Sequence, residues 1–138
     1  ILETLYKQQT DYKESNYAEL FTTVKRTIKQ RSLLILYTNF ETLNSLKRQL
    51  NYLRLLSKDH LLIIAFFLNT AMEEAMNEPA ENVEDFFRKS MAEKMHSDKR
   101  LVTKELNRYG IHSILTVPEK LSIQSINKYL EIKTRGLI

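Results

Sequence analysis

The chain is short of the residues that punctuate and cross-link proteins: its 138 residues include two glycines, two prolines, no cysteine and no tryptophan. Each shortage removes chemistry. A dinucleotide fingerprint or a P-loop needs closely spaced glycines, whereas here they stand far apart, at Gly110 and Gly136, so no phosphate-cradling glycine loop can form. Serine nucleophile elbows need flanking glycines as well. The lack of cysteine excludes a disulfide framework, a thiolate zinc site, an iron–sulfur cluster and a cysteine nucleophile. The longest apolar run, Leu61 to Leu68, is of strand length and well short of the roughly 18 residues of a membrane span, and no signal peptide is visible. The first residue is Ile1 rather than Met, and the chain is expected to be a segment cut from a longer protein.

What is present is ordinary for a globular protein. A hydrophobic content of 43% with 28% charge argues against disorder, and the length predicts one domain over residues 1–138. The net charge of +4 is unevenly spread. Residues 61–100 hold eight acidic and five basic side chains, and from Glu73 to Phe87 six carboxylates run without a base. The densest basic cluster is Lys25, Arg26, Lys29 and Arg31. On a helix, Lys25, Arg26 and Lys29 lie opposite Tyr17, Phe21, Val24 and Ile28, so the aromatics go to the core and the bases form a solvated face. That arrangement predicts no nucleic-acid binding.

The periodicities alternate along the chain. Helical spacing from about Asn16 to Gln30, with Asn16 and Glu19 as cap and capping-box partner, gives way to the apolar run Ser32 to Tyr37, which reads as a strand buried on both faces and central in a parallel sheet. Leu43, Leu46, Leu50 and Leu53 predict a helix ending near Ser57, and Leu61 to Phe67 a second buried strand. The Thr70–Glu73 pair has capping-box spacing for a short helix through Met76, which Pro79 ends. A long helix from Val83 to Tyr109 is expected to bury Phe86, Phe87, Met91, Met95, Val102 and Leu106, with a bend near His96-Ser97-Asp98. Gly110 is its C′ residue. A third strand, Ile111 to Val117, leads through Pro118 to a last helix whose core stripe is Ile123, Ile126, Leu130 and Tyr129, with Gly136 as its C′ residue. The order predicts an α/β fold, a partial doubly wound, Rossmann-like sheet of three parallel strands with flanking helices in three layers. So small a sheet leaves the strand Leu33 to Tyr37 with one edge open, or pairs it with a second copy in a strand-edge homodimer.

Open α/β sheets bind ligands outside the carboxyl ends of their strands. Those ends offer Thr38, Asn39 and Glu41, then Asn69 and Thr70, then Thr116, Glu119 and Lys120. These are the candidate ligand or partner contacts, although the plainer role of Asn39 and Thr70 is to cap the helices that follow. His60, His96 and His112 fall at no metal-ligand interval and read as structural or surface residues. Glu73-Glu74 and Glu84-Asp85 diverge around their helices and make poor acid/base dyads. Met72 with Met76, and Met91 with Met95, share helix faces four residues apart; they read as core filling, with an adaptable groove for a partner helix as the sharper alternative. No catalytic constellation is present.

The segments Val117-Pro118-Glu119-Lys120-Leu121 and Asn127-Lys128-Tyr129-Leu130-Glu131-Ile132-Lys133-Thr134-Arg135-Gly136 resemble the C-terminal signature of the bacterial domain of unknown function 58 family, whose fold is von Willebrand factor A-like. Asp11-Tyr12-Lys13-Glu14, Tyr17-Ala18-Glu19-Leu20-Phe21 and Leu33 to Phe40 are similar to the preceding part of that domain. The resemblance implies that this chain is the C-terminal half of the domain. The absent half would carry an Asp-x-Ser-x-Ser metal loop, and the strand ending at Thr38-Asn39 would lie beside it. Asn39 stands where metal-binding relatives have Asp, so no metal or other cofactor is expected in this chain; Mg²⁺ would require the missing half.

The resemblance further implies a non-enzymatic protein-interaction module. It would act with a MoxR-type AAA+ ATPase in protein assembly or maturation, at the cytoplasmic face, in a full-length protein anchored to the membrane elsewhere. The alternative is a small-molecule or nucleotide-binding α/β enzyme domain whose catalytic half is missing.

Overall fold

In a computed structural model describing residues 2–7, 9 and 15–137, the elements follow the order α1 (Leu2–Tyr6), α2 (Tyr17–Thr27), β1 (Leu33–Tyr37), α3 (Leu43–Asp59), β2 (Leu61–Phe67), α4 (Thr70–Asn77), α5 (Val83–Arg108), β3 (His112–Thr116) and α6 (Leu121–Thr134). The family-like segment Asp11 to Glu14 lies outside the described residues. The strands form one open, all-parallel sheet in the order β1-β2-β3, with Leu33 opposite Leu61 and Ile63 opposite His112. The result is a Rossmann-like α/β arrangement.

The central strand is β2, not β1. From Leu61 to Phe66 every residue of β2 is buried, whereas β1 is only half-buried, because among the described residues its outer edge has no strand partner. Alternation sends Leu62, Ile64 and Phe66 to one face, where they meet Leu46, Leu50, Leu53 and Leu56 of α3 and Val102 and Leu106 of α5, with Leu20, Phe21 and Val24 of α2 packed alongside. Leu61, Ile63 and Ala65 point the other way, toward Ile114 and Ile132. Among the described residues that second face is covered by α6 alone, which leaves Leu33 and Ile35 half-exposed.

Helix ends follow local chemistry. The Asn16 side chain accepts from the Glu19 amide at 3.1 Å, as the sequence predicts. Two other caps differ. The cap of α3 is Thr42, not Asn39, and it exchanges bonds with Ser45 in a full capping box. Asn69 caps α4 by accepting from the Ala71 amide at 3.0 Å, so Thr70 is the first helical residue; an asparagine one position earlier outcompetes the threonine. Pro118 opens a single 3₁₀ turn through Lys120 rather than lying in a plain connection.

Two helices turn unexpected faces inward. α5 runs unbroken from Val83 to Arg108 and buries Ala92, Lys99, Val102 and Leu106, while Phe86, Phe87 and Met91 are exposed. α6 buries Ile132 and leaves Ile123, Ile126, Tyr129 and Leu130 outside. Its inward side otherwise carries half-buried Leu121, Ser125 and Lys128, and the Ser125 hydroxyl has no partner among the described residues. The apolar stripes are real in both helices, but the sheet is met by other residues.

Gly110 and Gly136 sit at φ of 74° and 67° and close α5 and α6 with paired bonds: Ile111 N–H to Leu106 O and Gly110 N–H to Asn107 O, then Leu137 N–H to Ile132 O and Gly136 N–H to Lys133 O. This is the Schellman pattern. A Cβ at Gly110 would meet nothing within 4 Å, so only backbone strain resists substitution. Gly110→Ala should therefore destabilise the protein by about 1 kcal/mol in denaturant unfolding and Gly110→Asn by less.

His112 faces the charged side of α6. Burial pushes its pKa below the usual 6.5, Lys128 and Arg135 push it further down, and Glu131 opposes them. Between the folded pKa and 6.5 the unfolded chain binds more protons, so stability falls as the pH drops through that window. Unfolding titrations should show this loss in the wild-type protein and not in His112→Gln. Loss of the same size in both would remove His112 from the account.

Candidate functional site

At the carboxyl end of the sheet, two connections and two helices enclose a cleft. β1 ends at Tyr37 and delivers Asn39 and Glu41; β2 ends at Phe67 and delivers Leu68 and Asn69. Met72, Glu73 and Met76 of α4 form one wall, and Ala92, Met95, His96 and Lys99 of α5 the other. Its volume is about 90 Å³, well below the roughly 300–1,000 Å³ of pockets that bury a cofactor or drug-sized ligand. The space suits one side chain or a few waters.

The chemistry of the cleft centres on Lys99, which sequence reasoning passed over. It is only 7% exposed. Its ammonium donates to Asn39 Oδ1 and lies 5.4 Å from the centre of the Phe66 ring. Burial holds its pKa below the usual 10.5, and the Glu41 carboxylate pulls it partly back. A signal for it exists in the sequence: Ala92, Lys99, Val102 and Leu106 share one face at helical spacing, so a lysine occupies a position the pattern assigns to the core. A buried ammonium needs acceptors, and the end of the neighbouring strand supplies one.

The predicted contacts divide. Asn39, Glu41 and Asn69 line the cleft together. Thr38 turns away, its hydroxyl bonded to that of Tyr17, whose ring stacks on Phe40 with centroids 5.7 Å apart; burial raises the Tyr17 pKa, and the Thr38 bond opposes the rise. Thr70 is exposed on α4. Thr116 is buried beneath β3's end, where its hydroxyl donates to Val117 O at 3.3 Å and its carbonyl accepts from the Leu68 amide at 3.0 Å. Thr116 is thus a structural brace between two strand ends. Three of the four methionines line the cleft, Met91 being the exception, so the groove reading of the Met spacing is nearer the geometry than core filling. His96 joins them, while buried His60 closes α3 and accepts from the Ser32 amide at Nδ1, 3.2 Å away.

No family model, curated protein or solved structure matches the chain. The cleft must therefore be judged on its own residues. They do not fit a divalent cation: the Asn39 carbonyl oxygen is taken by the Lys99 ammonium, and a metal on that oxygen would stand beside a like charge in a partly desolvated site. Among the described residues no group of three or more His, Asp or Glu side chains is gathered in a ligand set, and no helix is long and apolar enough to cross a membrane.

Because burial depresses the Lys99 pKa, the folded protein binds fewer protons than the unfolded chain between the folded pKa and 10.5. Through that window the wild type should gain stability with rising pH relative to Lys99→Met. At neutral pH Lys99→Met should be at least as stable as wild type, since it removes a buried charge and leaves exposed Asn39 to water. A loss of about 1 kcal/mol or more would show that the bond to Asn39 outweighs the cost of burial.

Proposed function

We propose that the chain is a non-enzymatic protein-interaction module, the C-terminal half of a von Willebrand factor A-like domain, which holds a protein partner at the carboxyl ends of its strands. The cleft carries this reading. It is too small for a nucleotide, its walls are flexible methionines that adapt to an inserted side chain, and Phe67, which lines it at the end of β2, is 37% exposed. The all-parallel sheet with helices on both faces agrees with a von Willebrand factor A-like domain without singling it out. The resemblance in the C-terminal segment supplies the partner to test, a MoxR-type AAA+ ATPase, and with it a role in protein assembly or maturation at the cytoplasmic face.

The test is a binding titration against a MoxR-type ATPase from the source organism, if its genome encodes one, and otherwise from a bacterium that does. A complex should form, and Met76→Glu, which puts a charge into the apolar wall, should weaken it at least tenfold, the behaviour of an interface hot spot. Absence of a complex with the wild-type chain overturns the choice of partner. A complex indifferent to Met76→Glu overturns the cleft as the docking point.

A further inference from the structure

Two helix faces are left uncovered, and they complement each other. On the first three turns of α5, Val83, Phe86, Phe87 and Met91 are 85%, 67%, 67% and 44% exposed. On α6, Ile123, Ile126 and Leu130 are 64%, 58% and 51% exposed. Single exposed apolar residues are common, but ridges of this kind at helical spacing mark contact surfaces. The ridges match in length, about 12 Å from Val83 to Met91 and about 10 Å from Ile123 to Leu130 at 1.5 Å per residue.

Their charges match when the helices lie antiparallel. The α5 ridge begins beside Glu81 and Glu84, and the α6 ridge ends beside Lys133, so the acidic start of one ridge would meet the basic end of the other. Antiparallel packing also brings the positive end of one helix dipole to the negative end of the other.

Within one molecule the ridges cannot meet. α5 packs on the sheet face that holds Leu62, Ile64 and Phe66, and α6 on the face that holds Leu61, Ile63 and Ala65. We propose that the α5 ridge of one copy docks on the α6 ridge of a second copy. Such a contact is heterologous, so each copy retains one free ridge of each kind, and association continues into rings or open chains rather than stopping at a twofold dimer. The proposal does not depend on the cleft or on its partner.

Sedimentation of the 138-residue chain tests it, with Phe87→Asp and Ile126→Asp as probes. Both side chains are exposed, so both variants should keep the wild-type circular dichroism and melting temperature; Phe86→Asp and Leu130→Asp replace either one that does not. The wild type should form species beyond the dimer as concentration rises. Each variant alone should need at least tenfold higher concentration to associate. An equal mixture of the two retains one intact α5 ridge and one intact α6 ridge, and should give dimers and nothing larger. A wild-type chain that stays monomeric to about 1 mM, a thousandfold above an ordinary micromolar affinity, overturns the proposal. So does loss of association in only one variant, which would mean like ridges pairing, or wild-type association in both, which would point to the open edge of β1.

Discussion

From Leu61 to Phe66 each side chain of β2 is buried, and its two faces feed separate cores. A parallel strand with both neighbours in place and helices on both sides meets no water, so every position along it can be apolar. The run Leu-Leu-Ile-Ile-Ala-Phe satisfies that condition without interruption. Its burial positions the rest: β1 and β3 align on it in register, and its end at Phe67 sets where Asn69 begins α4 and where the cleft opens. The cores it feeds are unequal, twelve buried residues from α2, α3, α5 and the strands on one side against five on the other. The first side is the mechanical body of the molecule, and the second is, among the described residues, a single helix resting on β3.

Lys99 extends this constraint to the site. Its charge lies against the face of Phe66, the last buried residue of β2, and its donor reaches Asn39 beyond the end of β1. One side chain therefore joins α5 to two strand ends. The ring's negative face compensates part of the desolvation cost of the ammonium, and the amide oxygen satisfies one of its donors. The same bond gives the cleft a fixed positive point within walls of methionine.

How much of this could be read in the sequence differs element by element. β1 and β2 are legible as continuous apolar runs, and the ends of α5 and α6 are legible because only glycine takes their left-handed C′ positions without strain. Periodicity identifies a stripe but not what the stripe touches. For α3 the two coincide, since Leu46, Leu50 and Leu53 point at the sheet. For α5 they part at mid-helix: its second half packs on the sheet through Val102 and Leu106, while its first half packs on the short α4 and leaves the Phe86-Phe87 side free. At the site, the strand-end rule located Asn39, Glu41 and Asn69. It could not locate Lys99, which reaches the strand ends from a helix sixty residues beyond Asn39. The cap of α4 was missed for a smaller reason, since Asn69-Thr70 offers two competent residues and only the exact end of β2 decides between them.

The rotation of α6 shows most plainly why composition does not decide orientation. Burying Ile123, Ile126 and Leu130 instead of Ser125 and Lys128 would remove more apolar surface from water, at about 25 cal/mol for each Å². The structure holds the helix the other way through Ile132, fully packed against Ile63 and Ala65, and through the charges around His112, where Glu131 is bonded to Lys128 at 3.3 Å and to Arg135 at 3.2 Å. Those ion pairs are exposed and individually weak, so they cannot alone outweigh three aliphatic side chains. The orientation is sustained by shape: the C-terminal half of α6 fits the β3 face with Ile132 as its knob, and a rotation that buried Leu130 would lift Ile132 out. The outward ridge is the cost of that fit, and a surface of this kind persists in a protein when something else covers it.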